Sequence, residues 1–234
     1  MNRLLFFFSV LAFAGLGVNL FSQTSPSPRV EGTVEDVYLQ SQELQIIQEQ
    51  ALALDQDQKL LALSNISHMF DDGKIAEGDQ QVGYLLNLLV NEGIGRQIRQ
   101  NNLLINDFPV VRKEAAALLG RLRGESAKNS LLAILRTDNE SMVLSEAVYQ
   151  LGVIGLNANN EVSTAIADAL DRQSGRPSDN FAYACLLAFQ KLAVANNRLQ
   201  DGNAIRAIIT VAQGPYLYEV RRKANEVLND LRQY

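Results

Sequence analysis

The sequence predicts an all-α fold in which paired helices repeat along the chain. Three observations carry this. From Val34 onward apolar residues recur at helical spacing, and no segment sustains a period-two alternation. Ala, Leu, Gln, Glu, Asn and Arg dominate that stretch, most of them favouring helices or their ends, and Pro is rare after residue 30. A skeleton of apolar and small residues returns several times along the same stretch.

Taken in order, the spacing places helices near 35–53, 56–70, 79–92, 109–123, 126–136, 141–155, 160–171, 179–195, 202–212 and 216–232. Irregular stretches fall at Asp71–Gly78 and Gly93–Asp107. Asp55 reads as an N-cap, and Asp201-Gly202 as a turn.

What precedes Val34 is of another kind. Arg3 is followed by an apolar run from Leu4 to Val18 and then by Asn19-Leu20-Phe21-Ser22-Gln23. A basic start, a compact apolar core and a small-residue exit form the pattern of a secretory signal peptide, with residues 1–22 removed by cleavage after Ser22. The alternative is an uncleaved anchor, but the run reaches Phe21 only across Asn19, and a span needs about 20 apolar residues. Residues 23–33, with Pro26, Pro28 and Gly32, read as a linker.

The repeat is explicit from Val111. Val111, Ala115, Leu119, Gly120 and Leu122 recur as Val143, Ala147, Leu151, Gly152 and Ile154. They recur as Phe181, Cys185, Phe189, Gln190 and Leu192, and again as Val220, Ala224, Leu228, Asn229 and Leu231. A degenerate first copy is Gln58, Ala62, Ile66, Ser67 and Met69. The first small positions are separated by 53, 32, 38 and 39 residues. The last three separations suit helix pairs, and the first requires an insertion. Residues four apart share a helix face, and the small side chains let a neighbouring helix approach closely. The following helices carry stripes of their own, such as Ala127, Leu131, Leu132 and Leu135.

Asp107-Phe-Pro109-Val-Val111-Arg112-Lys-Glu-Ala115-Ala-Ala-Leu-Leu119-Gly120-Arg-Leu122, with a second helix from Ala127, resembles HEAT repeats of the bacterial PBS-lyase-like type. Residues 141–171 resemble them less, lacking the Pro and the Arg. Val220-Arg221-Arg-Lys-Ala224 matches the first-helix half again, and residues 34–106 form a divergent helical region. The resemblance implies an α-solenoid over 107–234, and the whole fold is expected to be a right-handed solenoid of about four helix pairs with a terminal helix lacking a second-helix partner. It makes Asp107 an N-cap, places Pro109 in the first turn, and makes Arg112 and Arg221 structural.

Composition narrows the function. The 234 residues carry a net charge of −5, or −6 without residues 1–22. An acidic chain without a basic block is a poor match for nucleic acid. Anionic membrane surfaces are disfavoured likewise, so membrane contact is expected only if the N-terminal segment is uncleaved. The lone cysteine, Cys185, rules out a disulfide framework, and with the lone histidine, His68, it argues against transition-metal chemistry. Cys185 occupies the small core position of its repeat and reads as a buried inert thiol. His68 reads as a surface or capping residue. Gly93-Ile-Gly95-Arg96 lacks the full phosphate-loop pattern and reads as a loop. Arg221-Arg222-Lys223 is too small a basic patch for nucleic acid.

Export with a single cysteine points to the bacterial envelope, periplasmic or otherwise extracytoplasmic. The expected function is a protein–protein interaction scaffold or assembly factor, without cofactor or catalysis. The alternatives are a structural subunit of an envelope complex and a lyase-type accessory. HEAT-based lyases, metal hydroxylases and glycosylases rest on a chromophore pocket, His-Glu pairs or a basic face, none of which this sequence marks. In such arrays second helices line the concave face, which makes Lys128, Asn129, Arg136, Thr164, Asp168 and Arg206 the expected partner-binding residues.

Overall fold

The computed structural model describes residues 34–231. The expected signal segment (1–22), the linker (23–33) and the last three residues lie outside the described residues. All ten expected segments are helical: α1 (Val34–Leu52), α2 (Gln56–Asp71), α3 (Gln80–Val90), α4 (Pro109–Leu122), α5 (Gly124–Thr137), α6 (Ser141–Ile154), α7 (Glu161–Arg172), α8 (Asp179–Ala195), α9 (Gly202–Gln213) and α10 (Tyr218–Leu231). No helix among the described residues is long and apolar enough to cross a membrane.

One element departs from the expectation of helix alone. The stretch between α3 and α4 holds a short antiparallel hairpin, β1 (Arg99–Gln100) with β2 (Leu103–Leu104). Its turn is Asn101-Asn102, with φ of 50° and 64°. Asn tolerates the left-handed region, which a tight two-residue hairpin turn requires at both positions. Two-residue strands are too short to show alternation, so periodicity missed them.

Side-chain capping explains four of the helix starts. The side chains of Asp55, Asp79, Ser178 and Asp201 each accept a backbone N–H from the first turn of α2, α3, α8 and α9. Asp107 does not cap α4. The N-cap there is Phe108, Pro109 holds the first helical position, and the Asp107 carboxylate accepts from Arg112 Nη1 at 2.6 Å. A guanidinium outcompetes a neutral backbone N–H for a carboxylate.

The helices lie in two rows. The even row runs α2, α4, α6, α8, α10, each packed on the next, and the odd row runs α1, α3, α5, α7, α9 in the same way. Each odd helix also packs on the even helix that follows it, from α1 on α2 to α9 on α10. No second helix follows α10 among the described residues, and it rests on both α9 and α8 of the preceding pair.

The apolar core is continuous from Ile47 to Val227. The first small positions of the repeat, Ala62, Ala115, Ala147, Cys185 and Ala224, are all fully buried within it. Even helices come into close contact at the glycines. A Cβ on Gly152 would lie 2.7 Å from the Ala188 Cα of α8, and one on Gly120 would meet the Gln150 side chain of α6. Phe181 and Phe189 fill the α8 interior, each contributing about 1.5–3 kcal/mol by leaving water.

Candidate interaction surface

The expected binding residues sit on the odd row. Asn129 and Arg136 of α5, Asp168 of α7 and Arg206 of α9 are exposed there. Asn129 and Arg136 are two turns apart and share one face of α5.

Lys128 and Thr164 do not belong to that exposed set. Lys128 is only 4% exposed, its ammonium held by Glu125 at 2.7 Å and by Glu161 at 2.8 Å. Hydrogen bonds to Glu125 and then Glu161 raise its pKa above the ordinary lysine value. It thus ties α5 to the first turn of α7. Thr164 is half-buried and donates to Asp201 Oδ2 at 3.0 Å, beside Ser163 at 2.7 Å. Asp201 thereby caps α9 while gripping α7. A four-carbon lysine stem covers apolar surface readily, which a one-residue exposure guess from a stripe ignores.

Between the rows lies a buried polar joint. Arg112 Nε donates to Asp138 Oδ2 at 2.7 Å, and Nη1 donates to the Glu92 carbonyl at 3.1 Å as well as to Asp107. Burial works against the Arg112 charge, yet the hydrogen bonds to Asp138 and Asp107 outweigh it and raise its pKa. The Glu92 carboxylate bridges buried Lys59, at 2.9 Å, and Asn106 Nδ2, at 2.7 Å. Arg112 is buried and hydrogen-bonded to Asp107, Asp138 and the Glu92 carbonyl. Arg221 is not its counterpart: it is exposed, and among the described residues its guanidinium makes no comparable bond. Valine-Arg at a helix start gave both the same signal, but only Arg112 has acidic loops around it.

A groove with apolar lining lies on the even row, which sequence reasoning did not single out. About 660 Å³ of space lies over α6 and α8, walled by Met142, Tyr149, Tyr183, Leu187 and Leu217. Lys113, Glu146 and Asp179 stand around it. Asp179 Oδ1 accepts the Leu217 N–H at 2.8 Å, and Ser141 Oγ meets Ser178 Oγ at 2.7 Å, which fixes the starts of α6, α8 and α10 side by side. Val110, also exposed, sits one turn before Lys113. Only a helix-by-helix list of outward positions could have found this groove, because the repeat skeleton reports the buried face.

Cys185 is fully buried, and burial pushes its thiol pKa far up. His68 is exposed. Gly93–Arg96 forms a turn, with a Gly93 Cβ excluded by the Asn106 carbonyl. Among the described residues, no three His, Cys, Asp or Glu side chains are grouped to hold a metal ion. No known family, curated protein or solved structure matches the chain.

Proposed function

We propose that the chain is an exported, right-handed α-solenoid of HEAT type that binds a protein partner in the bacterial envelope. The observation that carries this reading is the apolar groove across the even row, with Met142 on α6, Tyr183 on α8 and Leu217 in the loop before α10 left in solvent. Exposed apolar side chains gathered in one groove mark an interaction site. Charges of both signs around an apolar floor suit an amphipathic helix of the partner, whose anchors and charges alternate in the same way. Cys185, held as a thiol inside the core, supports binding rather than nucleophilic chemistry.

Successive even helices pack on one another more extensively than successive odd helices do. In a curved array the tighter row lies on the inside, so the even helices line the concave face. The odd-row residues Asn129, Arg136, Asp168 and Arg206 are then a solvated outer face.

The test is crosslinking of the protein in its native envelope, followed by reconstitution with the purified partner. One variant carries Tyr183→Ala and Leu217→Ser. A second carries Arg136→Glu, Asp168→Lys and Arg206→Glu. The expected result is at least about a fivefold loss of affinity in the first, as for truncation of buried anchors, and none in the second. The reverse pattern would return the site to the odd row. A partner insensitive to both would remove the solenoid surface as its binding face.

A further inference from the structure

A second groove, remote from α6 and α8, lies between α1 and α3 at the start of the odd row. It encloses about 700 Å³. Its walls are two helix faces. Gln45, Gln48 and Glu49 stand on α1, with Gln80, Gln81 and Tyr84 on α3. Leucine side chains form part of the floor. Among the described residues, none of the four glutamine side chains is hydrogen-bonded to another group of the protein. The Tyr84 ring is 63% exposed.

We infer that this groove binds a neutral oligosaccharide, whose hydroxyls pair with the four glutamine amides and whose ring face lies on Tyr84. Each amide presents a donor and an acceptor together, which matches neighbouring hydroxyls that are themselves both donor and acceptor. The aromatic ring supplies an apolar face with a polar tip. Charge excludes the rivals. Glu49 is the sole ionisable side chain on the walls besides the Tyr84 phenol, so an anion meets no cation here. An amphipathic helix needs an apolar stripe to dock, and the amides interrupt it. The face from Ser41 to Leu52 runs about 16 Å, enough for a short oligosaccharide.

The proposal is independent of the protein partner, because it uses a different groove. The experiment is titration of the isotopically labelled full-length protein with cellohexaose, maltohexaose and chitohexaose, followed by side-chain amide resonances. At least one sugar should give saturable shifts at Gln45, Gln48, Gln80 and Gln81. Tyr84→Ala should weaken that binding about tenfold, and Gln48→Leu with Gln81→Leu should abolish it, while core resonances from α4 to α8 stay in place. Absence of saturation by all three sugars at about ten times a 1 mM Kd would overturn the assignment. So would saturable shifts from a neutral, unstructured decapeptide with none from the sugars, which would make the groove a peptide site.

Discussion

Arg112 and Asp138 form a charge pair at 2.7 Å, with both side chains almost wholly out of solvent. The pair joins the first turn of α4 to the loop before α6. Asp138 Oδ1 also accepts the Glu140 N–H at 2.9 Å, so the same carboxylate shapes the entry to α6.

Removing one partner strands the other as a buried charge. Arg112→Ala and Asp138→Ala should each cost about 3–5 kcal/mol in urea unfolding at neutral pH. The double change to Met and Leu should recover much of that, because no unpaired charge remains. The raised Arg112 pKa gives the sign with pH: its contribution is complete below the unfolded guanidinium value and fades only as pH rises through the folded one. Raising pH from 6 to 9 should therefore leave the penalty of Arg112→Ala unchanged. A penalty below about 1 kcal/mol would show that the joint is not held by this pair.

Gly152 and Gly120 occupy the same repeat position but face different neighbours. A Cβ at Gly152 meets backbone of α8, which cannot yield without moving the helix. Gly152→Ala should destabilise by about 1–3 kcal/mol through overpacking. At Gly120 the nearest obstacle is the Gln150 amide, which donates to Glu146 Oε1 at 2.7 Å and can turn aside, leaving the Gln150 Cβ at 2.9 Å, which moves only with α6. Gly120→Ala should cost less, because most of what its Cβ meets is side chain that can move, while the ~1 kcal/mol of helix preference regained by alanine is common to both sites. Equal penalties in paired thermal melts would contradict the distinction between backbone and side-chain contact.

The helices were legible because each buries a stripe, and burial imposes period 3.6 on the sequence. The small positions were legible for the same reason, as full burial of Ala62, Ala115, Ala147 and Ala224 attests. The site was less so. Lys128 and Asn129 are adjacent polar residues at the edge of one stripe, yet the first is buried and the second exposed. What separates them is Glu161, 33 residues away, which no local pattern reports. The Asp107 cap failed similarly, through competition from Arg112. The even-row groove depends on Leu217 in a loop meeting Tyr183 on a helix, a relation set by packing alone.

Lys128 offers a second test with pH. Its pKa is raised by Glu125 and Glu161, so its stabilising contribution is complete below the unfolded lysine value of 10.5 and is lost as pH rises through the folded one. The wild type should lose stability in that alkaline window more steeply than Lys128→Met. Melting temperatures from pH 8 to 11 would show it as curves that converge at the alkaline end. Parallel curves would mean that the α5–α7 link carries no differential charge energy.

Cys185 takes the position filled by alanine in the four other repeats, with Phe181 and Phe189 on the same helix also fully buried. Its thiol has no solvent contact, and burial holds it protonated well above neutral pH. The attacking species toward a disulfide reagent is the thiolate, so labelling requires exposure first. The native protein should therefore react with an aromatic disulfide no faster than it unfolds, and the rate should follow the urea dependence of unfolding. Cys185→Ala should fold with a modest penalty, because α8 then copies the alanine found in α4 and α6. Cys185→Ser should cost more, since a hydroxyl in an apolar site needs a hydrogen-bond partner. Rapid labelling in the absence of urea would show instead that α8 separates from α6 and α10 in the folded protein, and the tight even row would then be a hinge rather than a spine.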